Sequence, residues 1–395
     1  MRAAGLCGIL SSMSTNTSIE SADTPRLLLD VGKLGVNIDR MRSRTAQLGV
    51  KLRPHLKSAK SVDVALRASD PRDGRIAVST LKEAEYFADA GYRDILYAVG
   101  ITANKVARAA ALRRRGVELS LVVDSLGTVA AVDEIAVAEH VAFSVFIEVD
   151  TDGHRAGVKP SDPNVINIGH ALASSRSLRL AGVMAHAGSS YHCTSLTAIA
   201  DLAEQERANA VAAANRLRAS GVTVPEVSVG STPTALLARS LEGVTEVRAG
   251  VYMFFDLVMA GLGVCRIEDI AISVLTTVIG HRSDMGWLIV DAGWMALSAD
   301  RGTSRQDTDQ GYGLVCTEDG SPLEGVLVLS ANQEHGIIGP RPGARHFDVS
   351  AFPPGTRLRI LPNHACATAS QHDSYLLVGS DGTSLQREWP RLNGW

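Results

Sequence analysis

Long apolar runs are missing: no stretch of the 395 residues reaches the length of a bilayer-spanning helix, which argues against a membrane partner. Cysteine is scarce and unpatterned. Cys7, Cys193, Cys265, Cys316 and Cys366 form no CxxC pair and no even framework, which excludes a disulfide scaffold and points to a reducing compartment. Neither sign of charge is in excess. A net charge of −3 gives no electrostatic footprint for nucleic acid or an anionic surface, so the expected partners are a small molecule and a second copy of the chain. The opening MRAAGLCGILSSMSTNTSIES has one arginine and a short apolar patch broken by glycine, too short for the core of an export signal. Residues 1–23 are therefore read as a disordered leader, and the protein as cytoplasmic.

What the chain does have is alternation. Candidate strands fall at 52–57, 75–80, 94–98, 118–124, 142–150, 179–186, 226–230 and 245–250. Between them lie segments such as VARAAALRRRGV and LAEQERANAVAAANRLRASG, with small and apolar residues at helical spacing. Eight strands in strict alternation with helices fit a (β/α)8 TIM-type barrel over 31–265 better than an open doubly wound sheet, although the count depends on reading the short TEVRAG as a strand. After Cys265 the texture changes. DIAISVLTTVIGHR, GWLIVDAG, GVLVLSANQEHG, TRLRILPNHACA and SYLLVGSDG read as strands joined by Gly, Pro and Asp turns. This predicts a C-terminal all-β domain over 266–395, to which TPRLLLD (24–30) could lend a strand.

In such a barrel the chemistry gathers where strands end. Lys57 closes LRPHLK, Arg155 follows the fifth strand, and His186 ends the sixth. Gly230, Ser231 and Thr232 follow the seventh strand, and Gly250 and Tyr252 the eighth. GSTPT alone reads as an ordinary helix cap, but paired with AGVY one strand later the phosphate cradle becomes the preferred reading. A rim lysine opposite a phosphate cradle suggests pyridoxal 5'-phosphate, whose aldehyde a lysine amine can hold as a Schiff base. Lys57 is preferred over Lys60, which is placed at the opening of the next helix. In LPNHACAT, His364 and Cys366 are two apart, so on a strand both would face one way and could ligate a divalent metal. The alternative is a buried thiol beside a histidine, simply packed. Glu334 and His335 in NQEHG are read as a turn or as rim groups, and Asp291 and Asp300 as turn carboxylates with a rim role as the alternative.

Taken together, RPHLKSAK, AVSTLKEAE, EVDTDGHRAGV, AHAGSSY, VSVGSTPT, AGVYMFFD and LPNHACAT resemble the D-threonine aldolase / D-serine dehydratase family over about Thr24 to Asp373. These are fold-type III pyridoxal phosphate enzymes with a barrel like that of alanine racemase. The resemblance implies that Lys57 carries the cofactor and that Gly230, Ser231, Thr232, Gly250 and Tyr252 hold its phosphate. It places Tyr191 beside the pyridine nitrogen, with Arg155 and His186 lining or supporting the ring. It makes His364 and Cys366 ligands of a divalent metal, zinc in preference to manganese or magnesium, that contacts the substrate's β-hydroxyl. It also implies a homodimer in which the β-domain completes the partner's site. Two departures bear on the substrate and the base: Lys57-Ser58-Ala59-Lys60 stands where the family usually has KTHK, and Ser189 where some aldolases have a second histidine.

The implied activity is a metal-dependent lyase acting on D-3-hydroxy amino acids. Dehydration of D-serine, D-threonine or 3-hydroxy-D-aspartate is preferred, because a His/Cys pair resembles the dehydratase branch. Retro-aldol cleavage by a D-threonine aldolase is the alternative. An amino-acid racemase would need a second base and no metal, and a pyridoxal phosphate carrier would lack the 130 residues from Arg266 onward.

Overall fold

The computed structural model describes residues 17–153, 155–344, 347–379 and 381–395. Eight parallel strands form the first sheet: Lys51–Pro54, Arg75–Val78, Asp94–Gly100, Glu118–Val123, Phe143–Glu148, Leu178–Met184, Glu226–Val229 and Glu246–Ala249. They follow one another around a nearly closed barrel, the eighth strand pairing with both the seventh and the first. All eight expected strands are present, including the short TEVRAG, whose Val247 pairs with Leu52 and Val229.

The strands are near-continuous apolar runs because the surrounding helices cover their outer faces while side chains fill the barrel. Polar residues at the strand ends start those helices. Thr80 accepts from the Glu83 N–H before Leu81–Asp89, and Ser195 accepts from the Ala198 N–H before Leu196–Ala219.

One seam has no full ladder. Between the first and second strands only a bridge from His55 to Ala77 and the Leu56 N–H on Ala77 O (2.9 Å) complete the circle. Beside an apolar cluster of Ala77, Leu96, Val122, Phe146 and Met184, the barrel strands also bury charge. Arg53 Nε donates to Glu246 (2.9 Å) and Nη1 to Asp94 (2.7 Å), while Arg75 Nη1 donates to Glu246 (2.8 Å). Glu246 is fully buried and its carboxylate is met by two guanidiniums and by Ser228 Oγ at 2.7 Å.

The second sheet is almost all antiparallel. Arg26–Asp30 lies between Ser374–Val378 and Ile272–Arg282. Ile272–Arg282 then pairs with both Trp287–Val290 and Arg357–Leu361, so six strands close into a second barrel through Gly336–Pro340, Pro322–Ala331 and Leu314–Cys316. Here the sequence reading needs correcting in three places. The leader expected over 1–23 lies outside the described residues as far as 16, but Thr17–Ser18 pairs with Ser384–Pro390 and Ile19 is buried. Ser384–Pro390 itself, ending in Pro, had not been expected as a strand. His364 and Cys366 are not on a strand: His364 caps a short helix, Ala365–Ala369.

Candidate active site

A cavity of about 990 Å³ opens at the C-terminal rim of the first barrel, where the second domain covers it. Its walls include Lys57, Arg155, His186, Tyr191, Gly230, Ser231, Thr232 and Gly250 from the barrel, and His364 and Cys366 from the β-domain. Tyr252 is the one residue of the expected set not on its wall. That ring is fully buried, and only its backbone N–H reaches the site, donating to Thr232 Oγ1 at 3.2 Å.

The turn after the first strand separates the two candidate lysines. The N–H groups of Ala59 and Lys60 both donate to Leu56 O, at 3.1 and 2.8 Å, which curls the chain tightly. Lys60 takes a left-handed conformation (φ 46°) and its ammonium lies 3.3 Å from the buried Glu83 carboxylate, outside the cavity. Lys57 faces the cavity instead, close enough that its charge acts on His55, His186 and Cys366.

Across the cavity, the loop after the seventh strand is held by one carboxylate. Glu206, buried on the helix Leu196–Ala219, accepts from the N–H groups of Ala187 (2.9 Å) and Gly230 (3.0 Å) and from Thr234 Oγ1 (2.9 Å). Burial pushes its pKa up, and those three donors oppose the rise. Gly230 adopts φ +124°, and a Cβ there would stand 2.7 Å from Arg248 O. A Cβ at Gly250 would meet His55 O at the same distance, so at both positions only glycine lets the loop come so close to the barrel. The cap reading of GSTPT holds: Ser231 and Thr234 form a reciprocal capping box.

His186 Nδ1 lies 2.9 Å from Gly230 O. Burial pulls its pKa down to about 4, helped by the Lys57, Arg155 and Arg248 charges and opposed by that carbonyl. The imidazole is therefore neutral near pH 7 and must donate from Nδ1, which leaves Nε2 unprotonated. The Tyr191 ring centroid is 6.3 Å from that of His186, and burial pushes its phenol pKa up. Arg155 lies on the open side, 3.9 Å from Glu148.

The β-domain brings the second chemical element. His364 Nδ1 is 2.8 Å from Asp300 Oδ2, and Asp256 Oδ2 accepts from the Ala365 N–H at 2.9 Å, fixing the start of the helix. Burial disfavours an imidazolium, but hydrogen bonds with Asp300 and Cys366 hold the His364 pKa up to about 11. Burial would raise the Cys366 thiol, yet His364 and Lys57 bring it below its ordinary value. Cys366 Sγ also lies 3.0 Å from Ser58 Oγ, beside Lys57. Among the described residues no three His, Cys, Asp or Glu side chains form a ready metal cage, so the arrangement is a two-residue donor pair with an orienting carboxylate.

Sequence reasoning missed His55, Glu206, Arg248 and Asp256, and gave Asp300 a rim role only as the alternative to a turn carboxylate. Arg248, inside the barrel, donates to Ser228 Oγ (2.5 Å) and Ala185 O (2.6 Å). An arginine in the interior-facing pattern of a barrel strand is a signal that could have marked it. Glu334 and His335 lie in a hairpin turn away from the cavity.

A (β/α)8 barrel joined to an antiparallel β-barrel, with a lysine and a glycine-lined cradle facing one another at the rim, defines the alanine racemase-like, fold-type III architecture. The chain belongs to that family: residues 29–258 match the alanine racemase N-terminal domain, and residues 271–378 match the "Putative serine dehydratase domain". It is 53% identical to D-threo-3-hydroxyaspartate dehydratase of Delftia sp. (strain HT23), over 94% of this chain and 98% of that protein. The solved structure of the Delftia protein superimposes with a TM-score of 0.92, at 52% identity, covering 96% of this chain and all of that one. D-serine dehydratase of Dictyostelium discoideum is 30% identical over 93% of this chain and 96% of its own length. D-threonine aldolase from Filomicrobium marinum, a solved structure, gives a TM-score of 0.82 at 26% identity, covering 95% and 96% of the two chains. The family is that of fold-type III pyridoxal phosphate enzymes.

Proposed function

We propose that the protein is a pyridoxal phosphate- and divalent metal-dependent dehydratase of D-3-hydroxy amino acids, with D-threo-3-hydroxyaspartate the first substrate to try. One observation carries the reading: a single cavity is lined by Lys57 and, beside it, by His364 and Cys366. The similarity to the Delftia dehydratase, at about twice the identity of the aldolase, supports dehydration over carbon–carbon cleavage.

The residues fit the cofactor. Gly230, Ser231, Thr232 and Gly250 lie together on the cavity wall, and the two glycines hold their loops tight against the barrel, so backbone and hydroxyl groups would border a phosphate there. Pyridoxal phosphate, when bound, supplies an aldehyde that condenses with amines and a ring that accepts the electrons left at Cα. Lys57 would hold the cofactor, and its Nζ would be the group placed to take the proton from the substrate's Cα. Tyr191 and His186 would line the ring, and Glu206 holds the loop that would carry the phosphate. Arg155 and Arg305, both on the cavity wall, offer charge for the substrate's carboxylates.

The donor pair fits a metal. A thiol and an imidazole are good zinc ligands, and two protein ligands leave positions for substrate oxygen. Asp300 on Nδ1 orients His364, which would leave Nε2 to ligate a metal. A divalent cation there supplies Lewis acidity toward a hydroxyl oxygen. Relatives of solved structure include the metal-free form of a variant of the Delftia enzyme with one cysteine changed to alanine, which agrees with a cysteine ligand.

Lys57, His364 and Cys366 already line one cavity within a single chain, rather than a site completed only by a partner's β-domain; a homodimer is expected on family grounds alone and is tested by sedimentation. The cytoplasm is the compartment that unpaired cysteines favour; no helix among the described residues is long and apolar enough to cross a membrane. The function is tested by incubating the loaded enzyme with D-threo-3-hydroxyaspartate, D-serine and D-threonine. A 2-oxo acid and ammonia in equal amounts are expected; glycine with an aldehyde would make it an aldolase.

A further inference from the structure

The last five residues lead back to the site. Arg391 is 7% exposed, and among the described residues no carboxylate pairs with it. Its charge is met by carbonyl dipoles instead, drawn from two distant segments. Nε donates to Ala59 O (3.1 Å) and to Tyr375 Oη (2.9 Å). Nη1 donates to Ala369 O and to His372 O, the latter at 2.7 Å.

Ala59 belongs to the turn that carries Lys57 and Ser58, and Ala369 ends the helix that carries Cys366. One guanidinium thus spans the two segments whose side chains meet at the Ser58–Cys366 contact. Tyr375, fully buried, repeats the link from the β-domain side by donating to Ala59 O at 2.8 Å. The neighbouring Leu392 N–H donates to Lys60 O at 2.7 Å. A buried cation is costly unless its donors are satisfied, and here the satisfying carbonyls are those of the two site-bearing segments.

We infer that Arg391 is a positioning residue that sets the separation between the Lys57 turn and the Cys366 helix. The inference rests on the reading of Cys366 as a site residue but not on any turnover. Its test is the rate at which a small disulfide reagent labels Cys366 in the cofactor-loaded, metal-free chain, with Cys316, fully buried in the same domain, as internal reference. Arg391→Lys keeps the charge but cannot reach both segments at once, and Tyr375→Phe removes only the two bonds of the phenol, to Ala59 O and from Arg391 Nε, leaving the other Arg391 bonds in place. Labelling of Cys366 is expected to rise about 2- to 30-fold in Arg391→Lys, less in Tyr375→Phe, while Cys316 stays protected. Unchanged labelling of Cys366, or a parallel rise at Cys316 showing only a weakened fold, would overturn the assignment. Failure of the wild-type enzyme to bind Zn2+ or to turn over would count against the proposed function alone.

Discussion

Ser58 Oγ and Cys366 Sγ lie 3.0 Å apart although 308 positions separate them in the chain. That contact joins the loop of the first barrel strand to the β-domain, and it puts a candidate metal ligand beside the candidate cofactor lysine. Cys366→Ala should therefore leave the visible absorbance band of the bound cofactor intact while lowering Zn2+ affinity and turnover by about 10- to 100-fold or more. Equilibrium dialysis against Zn2+ and an ammonia-release assay check both.

The two lysines of LRPHLKSAK should behave differently. Lys57→Ala should abolish the cofactor's visible band and all activity, because no other amine faces that part of the cavity among the described residues. Lys60→Ala should keep the band, its ammonium being engaged with Glu83 outside the site. An absorbance spectrum of each purified variant decides the matter, and a band kept in Lys57→Ala but lost in Lys60→Ala would reverse the assignment of roles.

Gly230→Ala tests the cradle. With φ at +124° and a new Cβ 2.7 Å from Arg248 O, the substitution should cost about 1–3 kcal/mol of stability. It should also weaken pyridoxal phosphate binding more than it lowers turnover at saturating cofactor. Thermal unfolding and a cofactor titration by fluorescence separate the two effects.

Acid stability should follow Glu246. Burial favours its neutral form, but Arg53, Arg75 and Ser228 win and hold its pKa down to about 2. The folded-state value is thus depressed, so this group's stabilisation is complete above its unfolded pKa of about 4.3 and is lost as the pH falls toward 2. Glu246→Gln strands two guanidiniums and should cost about 3–5 kcal/mol at neutral pH. The gap in melting temperature between wild type and variant should close over that acidic window; a gap constant with pH would contradict the linkage.

Much of this arrangement could be read from residue order alone, for identifiable reasons. The barrel strands were legible because burial on both faces makes them short apolar runs between amphipathic helices. Lys57, His186, Gly230 and Gly250 were legible because each stands where a strand stops. The placement of His364 and Cys366 was wrong in its local geometry: alternation on a strand was expected, whereas an extended cap residue and the first turn of a helix bring them together. That detail depends on Asp256 accepting the Ala365 N–H from 109 positions away, which no local pattern reveals. Glu206 escaped notice for the same reason, since a glutamate on a long helix looks solvated until the loops it holds are in view.

The most direct test is anomalous diffraction at the zinc edge from crystals of the enzyme grown with pyridoxal phosphate and Zn2+. A single strong peak bonded to His364 and Cys366, in the same cavity as cofactor density continuous with Lys57 Nζ, is the result this account predicts. Zinc bound elsewhere, or cofactor joined to a different lysine, would contradict it.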